Sequence, residues 1–114
     1  MKTMYTRLAL MALLLLPAFL SGQGSGSVEN GKKLFLRDGC YECHGYAGQG
    51  GAGVRIAPKV IALQNFIKYV RNPTGAMPPY TAKVASDQDL TDIRAFLATI
   101  PEPPPAKNIP LLNQ

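Results

Sequence analysis

The chain has 114 residues, with twelve Lys and Arg, seven Asp and Glu, and a formal net charge of +5. This length allows one domain at most. No basic run and no interleaving of basic with aromatic residues occurs, which argues against a nucleic-acid-binding protein.

The N-terminal residues have the three-part layout of a secretory signal peptide. Lys2 and Arg7 supply positive charge, residues 8–20 form an apolar run, and small and polar residues follow at 21–27. We therefore predict a signal peptide at residues 1–23, and hence export to the periplasm.

The alternative to cleavage is a retained membrane anchor. A spanning helix needs about 20 apolar residues, and Pro17 interrupts the shorter run present here. Cleavage near residues 21–24 would leave a Gly/Ser linker at 24–27, no integral membrane segment and a mild net charge of +3.

The first helix is predicted at residues 28–38, with Ser27 as its N-cap and Gly39 as its stop. Its apolar and small residues recur at helical spacing: Val28, Gly31, Leu34 and Phe35. Gly31 costs about 1 kcal/mol relative to Ala in a helix. It is either tolerated there or allows another helix to approach closely.

Residues 40–44 read Cys-Tyr-Glu-Cys-His, the pattern for covalent attachment of a c-type haem. Each cysteine sulfur can add to one haem vinyl group, and the histidine can coordinate the iron. Cys40 and Cys43 are the chain's two cysteines, and His44 is its one histidine.

Three other interpretations of this motif compete with haem attachment. A zinc site needs four ligands, and the chain offers three Cys and His. A thiol–disulfide exchanger of the thioredoxin type would need a βαβ context, which the sequence lacks. A structural disulfide between cysteines three residues apart would close a very small loop and stabilise little.

The next stretch combines a loop with a short helix. Residues 45–53 include five glycines and predict a loop, without the residues of a phosphate-binding motif. Apolar residues at helical spacing predict a helix at residues 60–70, which ends before Pro73.

Met77 is the one methionine outside the predicted signal peptide, and two prolines follow it. Iron held by His and Met is the ligation found in cytochromes c, where the thioether raises the reduction potential. The alternative is a methionine that fills a gap in the core.

A final helix is predicted from a capping box at residues 86–89 to a stop at Pro101. Its apolar stripe consists of Leu90, Ile93, Phe96, Leu97 and Ile100. The tail to residue 114 is rich in proline and is predicted to be extended and mobile. The expected organisation is an all-α domain at residues 28–101 and a proline-rich tail at 102–114.

With this haem motif near an N-terminal helix, Met77 before two prolines and an amphipathic final helix, the chain resembles the class I cytochrome c family, in particular its small bacterial monohaem members. The resemblance implies the cytochrome c fold, with three to four short helices and glycine-rich loops around one haem c. It implies His44 and Met77 as the two iron ligands. It also implies that the first and last helices cross, with Gly31, Phe35 and Phe96 as the packing residues.

The resemblance further implies that a proline carbonyl accepts a hydrogen bond from the ligand histidine. Pro58 is the best match, although Ala57 stands where the family has glycine. Tyr69, Arg71 and Tyr80 are candidates to bind the haem propionates, since Arg favours carboxylate partners. The alternative is that these three are ordinary surface or half-buried residues.

The function implied is a one-electron carrier rather than an enzyme. It would accept electrons from a dehydrogenase or oxidoreductase and pass them to another cytochrome or a terminal oxidase, as a monomer or as a small subunit of a complex. The alternative is a haem enzyme or gas-binding protein with an open or labile sixth iron position. A redox-inactive disulfide domain is the third hypothesis.

Overall fold

The computed structural model describes residues 25–113. The predicted signal peptide therefore lies outside the described residues. Four α-helices follow one another in the described part: α1 Val28–Arg37, α2 Cys40–His44, α3 Leu63–Arg71 and α4 Asp87–Ala98. No strand occurs between residues 25 and 113, and the predicted all-α class is confirmed.

Capping side chains fix where the first and last helices begin. Ser27 Oγ accepts a hydrogen bond from the Asn30 N–H at 3.2 Å at the start of α1. Ser86 and Asp89 form the predicted capping box of α4, each side chain accepting from the other's backbone N–H. The predicted start of α1 and of α4 is confirmed.

Helices α1 and α4 pack on each other at Gly31. A Cβ atom at Gly31 would collide with the Asp92 carbonyl, so only glycine allows the two backbones to approach this closely. One turn further on, the rings of Phe35 and Phe96 lie 5.6 Å apart between centroids. Gly31 is therefore explained by the close approach of α1 and α4, and not by mere tolerance of a glycine within the helix.

The buried core is built mainly from α1 and α4, with residues from α3 and from the connecting segments packed against them. Its apolar members are Leu34, Phe35, Ala57, Val70, Ala85, Leu90, Ile93, Phe96 and Leu97. The predicted stripe of α4 supplies four of these residues, whereas Ile100 lies after the helix and is half-buried.

Two predicted segments differ from the structure. The helix predicted at 60–70 begins at Leu63, because residues 60–62 are not helical and the Ile61 carbonyl accepts a hydrogen bond from Arg94 Nε at 2.7 Å. The tail is not extended throughout, since residues Ala106–Asn108 and Pro110–Leu112 form short 3-10 turns. Prolines start such turns readily because their φ is already close to the helical value.

Candidate functional site

Helix α2 is a single turn that consists of the Cys-Tyr-Glu-Cys-His motif. Side chains three and four residues apart are neighbours on a helix, so Cys43 and His44 both lie beside Cys40. Cys40 is half-buried against the core and Cys43 is exposed, and both are free thiols rather than a disulfide. One turn of backbone therefore presents two thiols and an imidazole together.

The glycine-rich loop at residues 45–53 holds this turn in place. The Gly53 N–H donates to the Cys43 carbonyl and the Gly50 N–H donates to the His44 carbonyl, each at 2.8 Å. Carbonyls at a helix C-terminus lack partners within the helix, and here the loop supplies them. The predicted loop thus folds back on the residues of the motif.

The His44 ring is oriented by a backbone carbonyl. Its Nδ1 lies 2.7 Å from the Val54 oxygen. A carbonyl oxygen only accepts, so Nδ1 carries the proton and the lone pair is on Nε2, the nitrogen left to bind a metal.

The acceptor for His44 was predicted to be Pro58, and in the structure it is Val54. The Pro58 carbonyl instead accepts from the Val60 N–H at 2.9 Å. The physical reason is the bond from Gly53 to Cys43, which closes the loop early and brings the next carbonyl, that of Val54, to the ring.

Gly53 is a second residue of the site that the sequence interpretation missed. A Cβ atom there would lie 3.0 Å from Cε1 and 3.1 Å from Nδ1 of His44, closer than ordinary packing allows. The absence of a side chain lets the loop backbone lie directly against the imidazole. The available signal was the glycine-rich composition, which does not single out one of five glycines.

The state of Cys40 argues against the thiol–disulfide exchanger. Burial, with a smaller effect of the nearby Asp38 carboxylate, raises the pKa of the Cys40 thiol to about 11. Exchange requires a thiolate, and cysteines that perform it have a lowered pKa.

Met77 lies in the segment between α3 and α4 and is half-buried. It packs against the same buried core as Cys40 and Tyr80. The fold therefore gathers the thioether and one of the motif cysteines around one core, although 37 positions of sequence separate them.

The three side chains predicted to bind propionates are all bonded to protein groups. Tyr80 Oη donates to the Asp38 carbonyl at 2.7 Å, and Arg71 donates to the Tyr80 carbonyl at 2.8 Å and to the Asp87 carboxylate at 2.6 Å. The Tyr69 hydroxyl lies 2.9 Å from Thr74 Oγ1. These bonds connect the segment around Met77 to α3 and to the end of α1, and they connect α3 to the start of α4.

These residues fit a covalently attached haem. The motif offers two free thiols for two vinyl groups, and the bond to Val54 leaves the His44 Nε2 lone pair for an iron atom. Between residues 25 and 113, no helix has the length and apolar character needed to cross a membrane.

Comparison with known proteins agrees with the geometry of the site. Residues 26–97 match the family model described as cytochrome c oxidase, cbb3-type, subunit III, over more than half of the chain. No curated protein and no solved structure matches the chain.

Proposed function

Because the chain belongs to this family of c-type cytochrome domains, which carry a covalently bound haem c and act in electron transfer, we propose that it is a periplasmic one-electron carrier. In this proposal Cys40 and Cys43 form the two thioether bonds, and His44 and Met77 bind the iron. The observation that supports it most strongly is the His44 ring, fixed by Val54 with Nε2 left to bind the iron.

The bound haem supplies an iron atom that changes between the ferric and ferrous states, one electron at a time. The residues of the chain would limit how much the protein rearranges when the iron changes between these two states. The two thioether bonds would tether the group to α2, and the loop at residues 45–53 holds α2 itself. The bond from His44 to Val54 fixes the ring, which a metal-bound histidine needs in order to keep one geometry.

Met77 would be the second protein ligand of the iron, and the chemistry of its thioether would determine whether the reduction potential rises or falls. Its sulfur is soft and uncharged, which favours the ferrous state and raises the reduction potential. With both His44 and Met77 bound to it, the iron would offer no free position for a substrate. This is the basis for proposing a carrier rather than an enzyme.

The proposed location and partners rest on the sequence and the family. A cleaved signal peptide at residues 1–23 would deliver the domain to the periplasm. There it would receive electrons from a dehydrogenase or oxidoreductase and donate them to a cytochrome or terminal oxidase. The description of the matched family names a subunit of a cytochrome c oxidase, and this favours an oxidase as the electron acceptor.

The test of this ligation is Met77→Leu, a volume-conserving change that removes only the thioether. We expect the haem to stay attached and the weak far-red absorption band of the oxidised Met–iron bond to vanish. The potential should fall by on the order of 100 mV, a fraction of the roughly 0.8 V range that axial ligands span. Met77→Ala should give the same spectrum with an additional loss of stability.

Two outcomes would contradict the proposal in different ways. Exported protein without the added mass of a porphyrin would refute haem attachment. Rapid binding of carbon monoxide or cyanide by the unmodified protein would favour the open-site enzyme or gas-binding protein.

A Cys40→Ala variant should retain the haem through one thioether bond only, which mass spectrometry under denaturing conditions can check.

A further inference from the structure

Every polar group of Tyr80 is bonded to a residue that lies outside the segment around Met77. Its N–H donates to the Val70 carbonyl at 3.1 Å, and its own carbonyl accepts from Arg71 Nη1 at 2.8 Å. Its hydroxyl donates to the Asp38 carbonyl at 2.7 Å. We refer to these three bonds, between Tyr80 and residues 38, 70 and 71, as the Tyr80 clamp.

The clamp is attached to rigid elements. Val70 and Arg71 are the last two residues of α3, and the Arg71 guanidinium also donates to the Asp87 carboxylate at the start of α4, at 2.6 Å. The Arg71 side chain is only 18% exposed. Asp38 is the residue that caps the end of α1, two positions before Cys40.

The clamp lies at the first position after Met77 where the backbone can donate a hydrogen bond. Pro78 and Pro79 have no N–H, and their rings hold φ near one value. Few rotatable backbone torsions therefore separate Met77 from Tyr80, and a restraint at Tyr80 is transmitted to the methionine. On the other side, the contact between Tyr69 and Thr74 restrains the chain before Met77.

We infer that the Tyr80 clamp positions Met77 as an iron ligand by tying its segment to α3 and to the backbone just before the haem motif. Tyr80 and Arg71 are then positioning residues that act through Met77, instead of ligands of the propionates. This inference rests on the proposed ligation of the iron by His44 and Met77. It identifies the hydrogen bonds that would hold the Met77 thioether in position. Without the clamp, the segment of Met77 would move away from the iron more often.

The experiment compares cyanide binding to the oxidised, haem-loaded protein and to Tyr80→Phe. The variant keeps the ring in the core and removes only the bond to Asp38. Cyanide must wait for Met77 to leave the iron, so its binding rate reports how often that happens. The loss of one hydrogen bond should raise this rate about five- to tenfold, and the far-red Met–iron band should disappear at a lower urea concentration than in the unmodified protein.

Two control variants separate positioning from general effects. Tyr46→Phe removes the same hydroxyl from a ring that is 68% exposed and stacks on Tyr41, so its cyanide rate should equal that of the unmodified protein. Ser27→Ala removes the cap of α1 and lowers global stability without touching the clamp. If Ser27→Ala accelerates cyanide binding as much as Tyr80→Phe does, the effect is general destabilisation and the inference is wrong.

Arg71→Lys provides an independent test, including the case in which Tyr80→Phe does not accumulate as haem-loaded protein. Lysine keeps the charge but lacks the fork that reaches the Tyr80 carbonyl and Asp87 together. It should also accelerate cyanide binding severalfold with haem attachment intact, and an unchanged rate would refute the clamp.

Failure of the inference is distinguishable from failure of the proposed function. If the unmodified protein shows no far-red band, the His and Met ligation is wrong and the inference falls with it. If that band is present and either Tyr80→Phe or Arg71→Lys binds cyanide at the unmodified rate, the ligation stands and the clamp alone is refuted.

Discussion

At the scale of single residues, the orientation of His44 depends on two residues whose side chains supply no ligand or reactive group. Val54 contributes a main-chain oxygen at 2.7 Å, and Gly53 contributes the lack of a side chain beside the ring. A metal-bound histidine depends on such outer partners for its tautomer and its angle to the metal. The loop therefore orients His44, and under the proposed ligation it would be part of the haem site.

Gly53→Ala should disturb the site through the histidine ring. Gly53 does not have a positive φ, so alanine causes no backbone strain and the effect comes from its Cβ, 3.0 Å from Cε1 of His44. We expect a cost of about 1–3 kcal/mol in the free energy of unfolding, as for other overpacked sites. We also expect a shifted reduction potential, because the ring must turn or move from Val54.

The measurements are urea unfolding and redox titration of the haem-loaded protein. Ala52→Ser, which adds one atom at the exposed neighbouring position, serves as the control and should change neither quantity. A Gly53→Ala protein with unchanged stability and potential would show that the loop yields and that it does not orient the ring.

The Cys-x-x-Cys-His motif can be recognised from the sequence, and the residues that orient its histidine cannot. Cys40, Cys43 and His44 stand out because their side chains carry rare chemistry at a fixed spacing. Val54 acts through a carbonyl that every residue possesses, so no side-chain signal exists for it. The same holds for Tyr80, whose aromatic ring is visible in the sequence while the Asp38 carbonyl that it bonds is not.

At the scale of elements, the crossing of α1 and α4 carries a buried carboxylate. Asp92 is 4% exposed and accepts hydrogen bonds from the Ser27 N–H, from Asn30 and from Gln88. It thereby joins the start of α1 to the middle of α4. A helical stripe predicts apolar residues on the buried face, which is why the sequence pattern did not select Asp92 as a core residue.

Asp92 should make the stability of the fold depend on pH in the acidic range. Burial opposes ionisation, but the bonds from Asn30, Ser27 and Gln88 outweigh it and hold the pKa of this carboxyl below its ordinary value. A lowered pKa in the folded state contributes stability above the unfolded value of about 3.9, and that contribution is lost as the pH falls through the folded value.

Asp92→Asn should therefore cost about 1–3 kcal/mol in the free energy of unfolding at pH 7, because bonds to a charged acceptor are lost or weakened. The difference from the unmodified protein should shrink as the pH falls below about 3.9, the unfolded value, toward the lowered pKa of the folded carboxyl. Urea unfolding at pH 7 and pH 3 measures both the cost at pH 7 and its decrease in acid.

Glu29→Gln is the control, because Glu29 forms only an exposed pair with Lys33, and it should leave stability nearly unchanged. An equal cost of Asp92→Asn at both pH values would contradict this account.

Helix boundaries were predictable where a side chain marks them. Ser27 and the capping box at Ser86 placed the starts of α1 and α4 correctly. Helix α3 has no capping side chain at Ala62, and its start was predicted three residues too early. Apolar spacing alone does not tell a helix from an extended segment that packs on the same core.

At the scale of the whole molecule, the buried core lies between α1 and α4, and the Cys-x-x-Cys-His motif and Met77 lie at its edge. The residues half-buried against that core include Cys40, Tyr41, Met77 and Tyr80. A domain of this size buries only a modest core. A porphyrin tethered at Cys40 and Cys43, as proposed, would add a large apolar body beside these residues, so attachment of the haem and stability of the fold should depend on each other.

The proline-rich tail should contribute little to that stability. Among the described residues, its two 3-10 turns contact each other and none of the four helices. Glu102 forms one contact with Lys59, at 3.8 Å, between exposed side chains. A chain ending at Glu102 should therefore keep the melting temperature, the far-red band and the potential of the full chain, with a change in stability within about 0.5 kcal/mol.

A chain ending at Phe96 is the contrasting case, because it lacks Leu97, which is fully buried, and it should fail to hold its fold. If the chain ending at Glu102 melts several degrees lower than the full chain, the tail packs on the domain and stabilises it.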